Sequence, residues 1–131
     1  MTQEDKELLL KDLCARLPYG VKISVNNNIG TLQGINVIDN VAEYSSFLSS
    51  DIEEVKPYLF PFSSMTDEQE KEYNILRDDV QTYHYEFGDI VDDVELCDNW
   101  ESIDYLNAHY FDFRGLIGKG LAIDATGLNI Y

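Results

Sequence analysis

Between Asp78 and Phe113 the chain carries eleven acidic side chains and not one lysine or arginine. Threaded between the acids are Tyr83, Tyr85, Phe87, Ile90, Val91, Val94, Leu96, Trp100, Ile103, Tyr105 and further aromatics up to Phe113. Acidity alone would leave such a stretch solvated and disordered. This many rings and branched side chains supply enough apolar surface for it to fold. The stretch therefore reads as a folded, negatively charged surface and not as an acidic tail.

At 131 residues the chain reads as a single domain, 1–131, able to bury about two thirds of its unfolded surface. Its net charge of −16 is unevenly placed: residues 1–65 hold nine acids and five bases, residues 66–131 sixteen acids and four bases. Direct binding to nucleic acid is disfavoured, because that affinity comes from Lys and Arg displacing counterions from phosphates. An anionic membrane surface is disfavoured for the same reason. Basic proteins and metal cations are the partners such a charge attracts. Cys14 and Cys97 form no CxxC pair and read as small buried hydrophobes of a reducing cytoplasm. No cationic start leads into an apolar run, and no apolar stretch approaches membrane-spanning length, which points to a cytoplasmic protein.

Thr2 with Glu4 and Asp5 opens a helix, and Leu9, Leu10, Leu13, Cys14 and Leu17 recur at helical spacing until Pro18 and Gly20 end it. Val21, Ile23 and Val25 then alternate with Lys22 and Ser24 as a half-buried strand. Asn26-Asn27-Asn28 makes a hairpin turn into a second strand, Ile29 to Ile38, with Gly34 as a bulge or bend. A turn at Asp39-Asn40 leads to a third strand over Val41–Leu48. This helix, strand, hairpin, strand order resembles the start of small SH3-like or Sm-like barrels, a likeness of fold alone. A short helical turn follows through Ile52 and Val55, and Tyr58 to Phe62 reads as a rigid apolar loop plugging the core or, if exposed, as a partner patch.

Thr66 and Gln69 form a capping box for a helix running to about Asp79, with Tyr73, Leu76 and Val80 facing the core. Tyr83, Tyr85 and Phe87 alternate as a short strand, an acidic loop follows, and Asp98 with Glu101 reads as a second capping box. Trp100, Ile103, Leu106 and Tyr110 make the face of a third helix. Gly120–Asp124 closes the fold as a last short strand.

Three blocks carry a family resemblance: Leu13–Lys22 (LCARLPYGVK), Val55–Thr66 (VKPYLFPFSSMT) and Asp104–Ile117 (DYLNAHYFDFRGLI). They resemble an uncharacterised family of small acidic proteins found in gut Bacteroidetes genomes, their mobile elements and their phages. The resemblance implies a bacterial or phage cytoplasmic origin. It implies no activity and assigns no functional residue.

Specific chemistries fail on spacing. There is no phosphate-binding GxxxxGK[ST], and Gly115, Gly118 and Gly120 do not match GxGxxG. Counted from Asp89, an EF-hand loop would need Gly sixth and Glu twelfth, where Val94 and Trp100 stand. The two Cys and two His, at 14, 84, 97 and 109, lack paired zinc spacing. Cys97 with His84 or His109 can be drawn as a nucleophile and base, but acids around Cys97 raise a thiol's pKa and blunt it. Arg77 and Arg114, flanking the acidic run, read as structural partners of acids at its edges.

The sequence thus predicts an α+β domain: an N-terminal helix, an antiparallel meander of about three strands, two further helices and a short C-terminal strand. Its expected role is a non-enzymatic protein-interaction module, without cofactor or metal, whose acidic face imitates nucleic acid toward a basic protein. Asp89, Asp92, Asp93, Glu95 and Asp98 form the centre of that face, with Tyr85 and Trp100 as aromatic anchors. A small-molecule enzyme and a weak divalent-metal binder are the alternatives. The oligomeric state is not legible.

Overall fold

The computed structural model describes residues 1–45, 48–86 and 88–131, with backbone alone over 80–86 and 89–94. The fold is mixed α+β, as the sequence predicts. The chain groups into two compact units, Met1–Ser64 together with Asn107–Tyr131, and Met65–Leu106.

In the first unit, α1 spans Gln3–Arg16 and is capped by Thr2, whose hydroxyl accepts the Asp5 N–H at 3.1 Å. Its inner face is Leu9, Asp12, Leu13 and Arg16, all buried. Cys14, expected inside, is exposed, because it lies off that 9–12–13–16 stripe. Strand β1 (Lys22–Val25) turns through Asn26 and Asn27, both at positive φ, into β2 (Asn28–Asn36). That is the backbone of a type I′ hairpin, which the Asn run supplies. The ladder slips between Leu32 and Gly34, where a bulge was expected.

The region read as one strand from Val41 to Leu48 is two antiparallel strands, β3 (Val41–Tyr44) and β4 (Leu48–Asp51). Gly30 lets Tyr44 lie against β2, since a Cβ there would stand 2.9 Å from the ring. After a 3-10 turn at Ile52–Glu54 comes β5 (Val55–Pro61), which pairs antiparallel with β1.

The expected Tyr58–Phe62 loop is therefore corrected to a strand as far as Pro61, with Val55, Pro57, Tyr58 and Leu59 buried, while Phe62 opens a 3-10 turn and is exposed. Two prolines suggested a loop, but neither breaks a ladder. The Tyr58 carbonyl and the Phe60 N–H point to one edge of β5, while the Leu59 carbonyl points to the other and accepts the Ala125 N–H. By alternation the nitrogen of Pro57 faces away from β1, whose ladder loses no donor. Short parallel strands β8 (Phe111–Asp112) and β9 (Ile123–Asp124) complete the sheet against β5.

In the second unit the capping box of Thr66 and Gln69 is formed, opening α2 (Asp67–Leu76). The helix ends three residues before the expected Asp79. Beyond it, β6 (Asp78–Glu86) and β7 (Asp89–Cys97) pair over nine residues and turn through Gly88 at φ 85°. The acidic loop of the sequence reading is thus a strand. Branched and aromatic residues at every second or third position favour the pleat over a loop, whatever the charge between them. Helix α3 spans Trp100–Ala108. Leu106 is buried, but Trp100 is 87% exposed and Tyr110 lies beyond the helix, so the expected four-residue face is shorter.

A buried ion network sits on α1. Arg16 donates to both Asp12 oxygens at 3.0–3.1 Å and to the Phe111 carbonyl at 2.6 Å. Arg114 reaches Asp12 at 2.7 Å and lies over the Phe113 ring. Arg114, expected to serve the acidic run, instead serves this centre. Asp12→Ala strands two guanidinium groups, and should lower stability in urea denaturation by about 3–5 kcal/mol. Lys11→Ala, on the exposed face of the same helix, should change it by less than about 0.5 kcal/mol.

Candidate functional site

The second unit concentrates the charge. Residues 65–106 hold fourteen acids against two bases, Lys71 and Arg77, whereas the first unit holds eleven acids against seven bases.

The end of α2, the end of β7 and the start of α3 are clasped together by side chains. Asn99, not Asp98, caps α3: its Oδ1 accepts the Ser102 N–H at 2.9 Å, and Ser102 Oγ accepts the Asn99 N–H at 2.8 Å. Serine here plays the return role that glutamate plays in the usual box, one residue later than the sequence suggests. The Asn99 amide also donates to the Leu76 carbonyl at 2.6 Å, satisfying a terminal acceptor of α2. Asp98 Oδ1 accepts from the Tyr73 hydroxyl and from Ser102 Oγ. It also faces Arg77 Nε at 3.5 Å. That last contact is Coulombic, since Nε makes no well-formed hydrogen bond. Arg77 instead donates to the Leu96 carbonyl at 2.5 Å and lies over the Tyr73 ring. The one guanidinium of this unit is therefore spent internally, at an edge of the acidic run as expected.

The predicted site residues fare differently. Trp100 stands out at the start of α3, and Glu95 is exposed on β7, across from Val80. Asp98 is tied into the clasp, so its first role is to hold the unit together. The side chains of Tyr85, Asp89, Asp92 and Asp93 lie outside the described residues, but their backbone register is defined. Asp89 pairs with Glu86, Ile90 with Tyr85, Asp92 with Tyr83 and Asp93 with Thr82. Alternate positions of a strand belong to opposite faces. Positions 86, 89, 93 and 95 therefore share one face of the ribbon, and positions 85 and 92 share the other.

Sequence reasoning missed Ile75, which is 81% exposed on α2. Its signal was present: it falls between Tyr73 and Leu76 and off their stripe.

Among the described residues, no group of three His, Cys, Asp or Glu side chains is placed to hold a metal ion. Although Cys14 is exposed as a residue, the neighbouring protein still desolvates its thiol enough to raise it above its ordinary pKa, which lowers its nucleophilic fraction. No helix among the described residues is long and apolar enough to cross a membrane. The chain matches no family model, no curated protein and no solved structure.

Burial, and then the bond to Asp98, pushes the Tyr73 hydroxyl up to about 12. Burial and the bond to Glu72 do the same for Tyr105, also to about 12. The folded form holds both phenols neutral after an unfolded chain would ionise them. Stability is thus fully present below pH of about 10 and declines as pH rises from about 10 toward 12. Urea denaturation across that range should show the fall, and Tyr73→Phe with Tyr105→Phe should make it shallower, the remainder coming from Tyr110 and Tyr131, whose hydroxyls burial also pushes up.

Proposed function

We propose that this protein is a non-enzymatic interaction module whose second unit offers an acidic face to a basic protein, standing in for nucleic acid in that partner's groove. The observation that carries the reading is the fourteen-to-two imbalance of acids over bases within one compact unit, with a nearly fully exposed Trp100 beside it. Like charges fixed on a folded scaffold repel one another, and a cationic partner relieves that repulsion. Tryptophan is the side chain that most often anchors an interface, and its face also attracts ammonium and guanidinium groups. The clasp around Asp98 supports the same reading, since it fixes the base of the ribbon and the start of α3, and pre-ordered contacts bind at lower entropic cost. The face is centred on positions 86, 89, 93 and 95, with Asp92 and Tyr85 behind it. We infer a bacterial or phage cytoplasm as the setting of such a module, with host proteins as its partners, from the sequence resemblance alone.

Trp100 is the sole tryptophan, so its fluorescence reports binding directly. Titration with a lysine- and arginine-rich DNA-binding domain should quench or shift the emission, and duplex DNA should compete. Affinity should fall about tenfold or more as salt rises from about 0.05 M to about 0.5 M. The triple change Asp89→Asn, Asp93→Asn and Glu95→Gln should weaken binding strongly, and Asp92→Asn much less. Trp100→Ala, followed by anisotropy of a labelled partner, should cost about thirtyfold. Salt-independent binding, or equal effects of the triple and the Asp92 change, would refute the reading.

A further inference from the structure

One edge of β5 is occupied in sequence by β1 at Val55–Pro57 and by β8 at Phe60–Pro61, which leaves Tyr58 between them. Ser24 pairs with Lys56, so the next pair of the β1 ladder to exchange hydrogen bonds would be Lys22 and Tyr58. The register stops short of it. In the gap sits the hydroxyl of Tyr131, accepting the Lys22 N–H at 2.9 Å and donating to the Tyr58 carbonyl at 2.8 Å. Its ring stacks on Tyr110 with centroids 3.8 Å apart and planes at 13°, and leans on Phe60 at 5.8 Å.

This opening has the chemistry of a selective seat. It offers one donor, one acceptor and an aromatic wall. A phenol satisfies all three, whereas a plain ring leaves two backbone groups unpaired. Tyr110 is itself held in a left-handed conformation, φ 62°, that bulky residues avoid, and its hydroxyl donates to the Tyr19 carbonyl. Tyr131 keeps 42% of its surface exposed and so enters from outside. Of the residues leading to it, 126–129 are exposed and Ile130 is half-buried, with Gly127 and Asn129 at positive φ and one short turn from Leu128 N–H to the Ala125 carbonyl.

We propose that this seat is a phenol-recognition site, filled here by Tyr131 of the same chain, and that residues 126–131 form a strap that lifts as a unit when the phenol leaves. The seat lies wholly within the first unit and is independent of the acidic face.

The test uses the full chain with Tyr131→Ala and Tyr131→Phe, and p-cresol and toluene as probes. The Ala variant should bind p-cresol at least about tenfold more tightly than toluene. Binding should raise its melting temperature, with no such shift in the parent chain, whose seat is filled. Hydrogen exchange at the Lys22 amide and over 126–131 should rise about tenfold or more in Tyr131→Phe. Equal binding of the two probes, or a p-cresol shift equal in the parent, would overturn the proposal. If Tyr131→Ala does not fold, the exchange of Tyr131→Phe decides, and rates unchanged from the parent would overturn it.

Discussion

The burial of Asp12 is the most demanding fact about the first unit. A carboxylate with no exposed surface is tolerable only when opposite charge and donors surround it, and here Arg16 comes from its own helix and Arg114 from far along the chain. Burial pulls the Arg16 guanidinium down from its ordinary pKa, and Asp12 pulls it back up. The bond from Arg16 to the Phe111 carbonyl ties α1 to the start of β8. Asp112, next in sequence, accepts the N–H groups of Leu116 and Ile117 at 2.9 Å and shapes the following loop. Helix, parallel strand and glycine loop thus depend on one paired centre, which apolar packing alone would leave free to slide.

The two units treat charge in opposite ways. In the first, a few charges, Asp12, Arg16 and Arg114, are drawn together and neutralised against each other. In the second, the acids far outnumber any internal partner, and the one arginine is consumed by the clasp of α2, β7 and α3. What the clasp secures is geometry. It holds the ends of both helices and the foot of the ribbon with hydrogen bonds to backbone groups, and leaves Trp100 and Glu95 facing water.

Much of the fold was legible because local chemistry agreed with it. Thr2 and Thr66 cap helices, Asn26-Asn27 adopts positive φ, and Gly34 marks a bulge, each from residues a few positions apart. The failures share a different cause. β5 carries two prolines, Pro57 within it and Pro61 at its end, and only the knowledge of which edge each nitrogen faces shows that they are harmless. β7 was hidden by its acids, since composition spoke louder than the Ile90, Val91, Val94 and Leu96 pattern. Asp12 and Arg16 sit four apart on the buried stripe, a legible hint, but their third partner is remote in sequence. For the candidate site, the acidic residues were found from composition, while their division between two faces of a ribbon required the register.

The first unit is also interrupted in sequence: the chain leaves it after Ser64 and returns at Asn107. A ribosome releases α1 and β1–β5 first, then the whole of the acidic unit, and only afterwards the strands that flank β5. Until that moment Arg16 has no Phe111 carbonyl and Asp12 no second arginine. The inserted unit lies on one continuous stretch of chain and is thus complete in sequence before its host is. Nascent chains stalled just before residue 107 should therefore be the aggregation-sensitive species, with the edge of β5 still unclaimed.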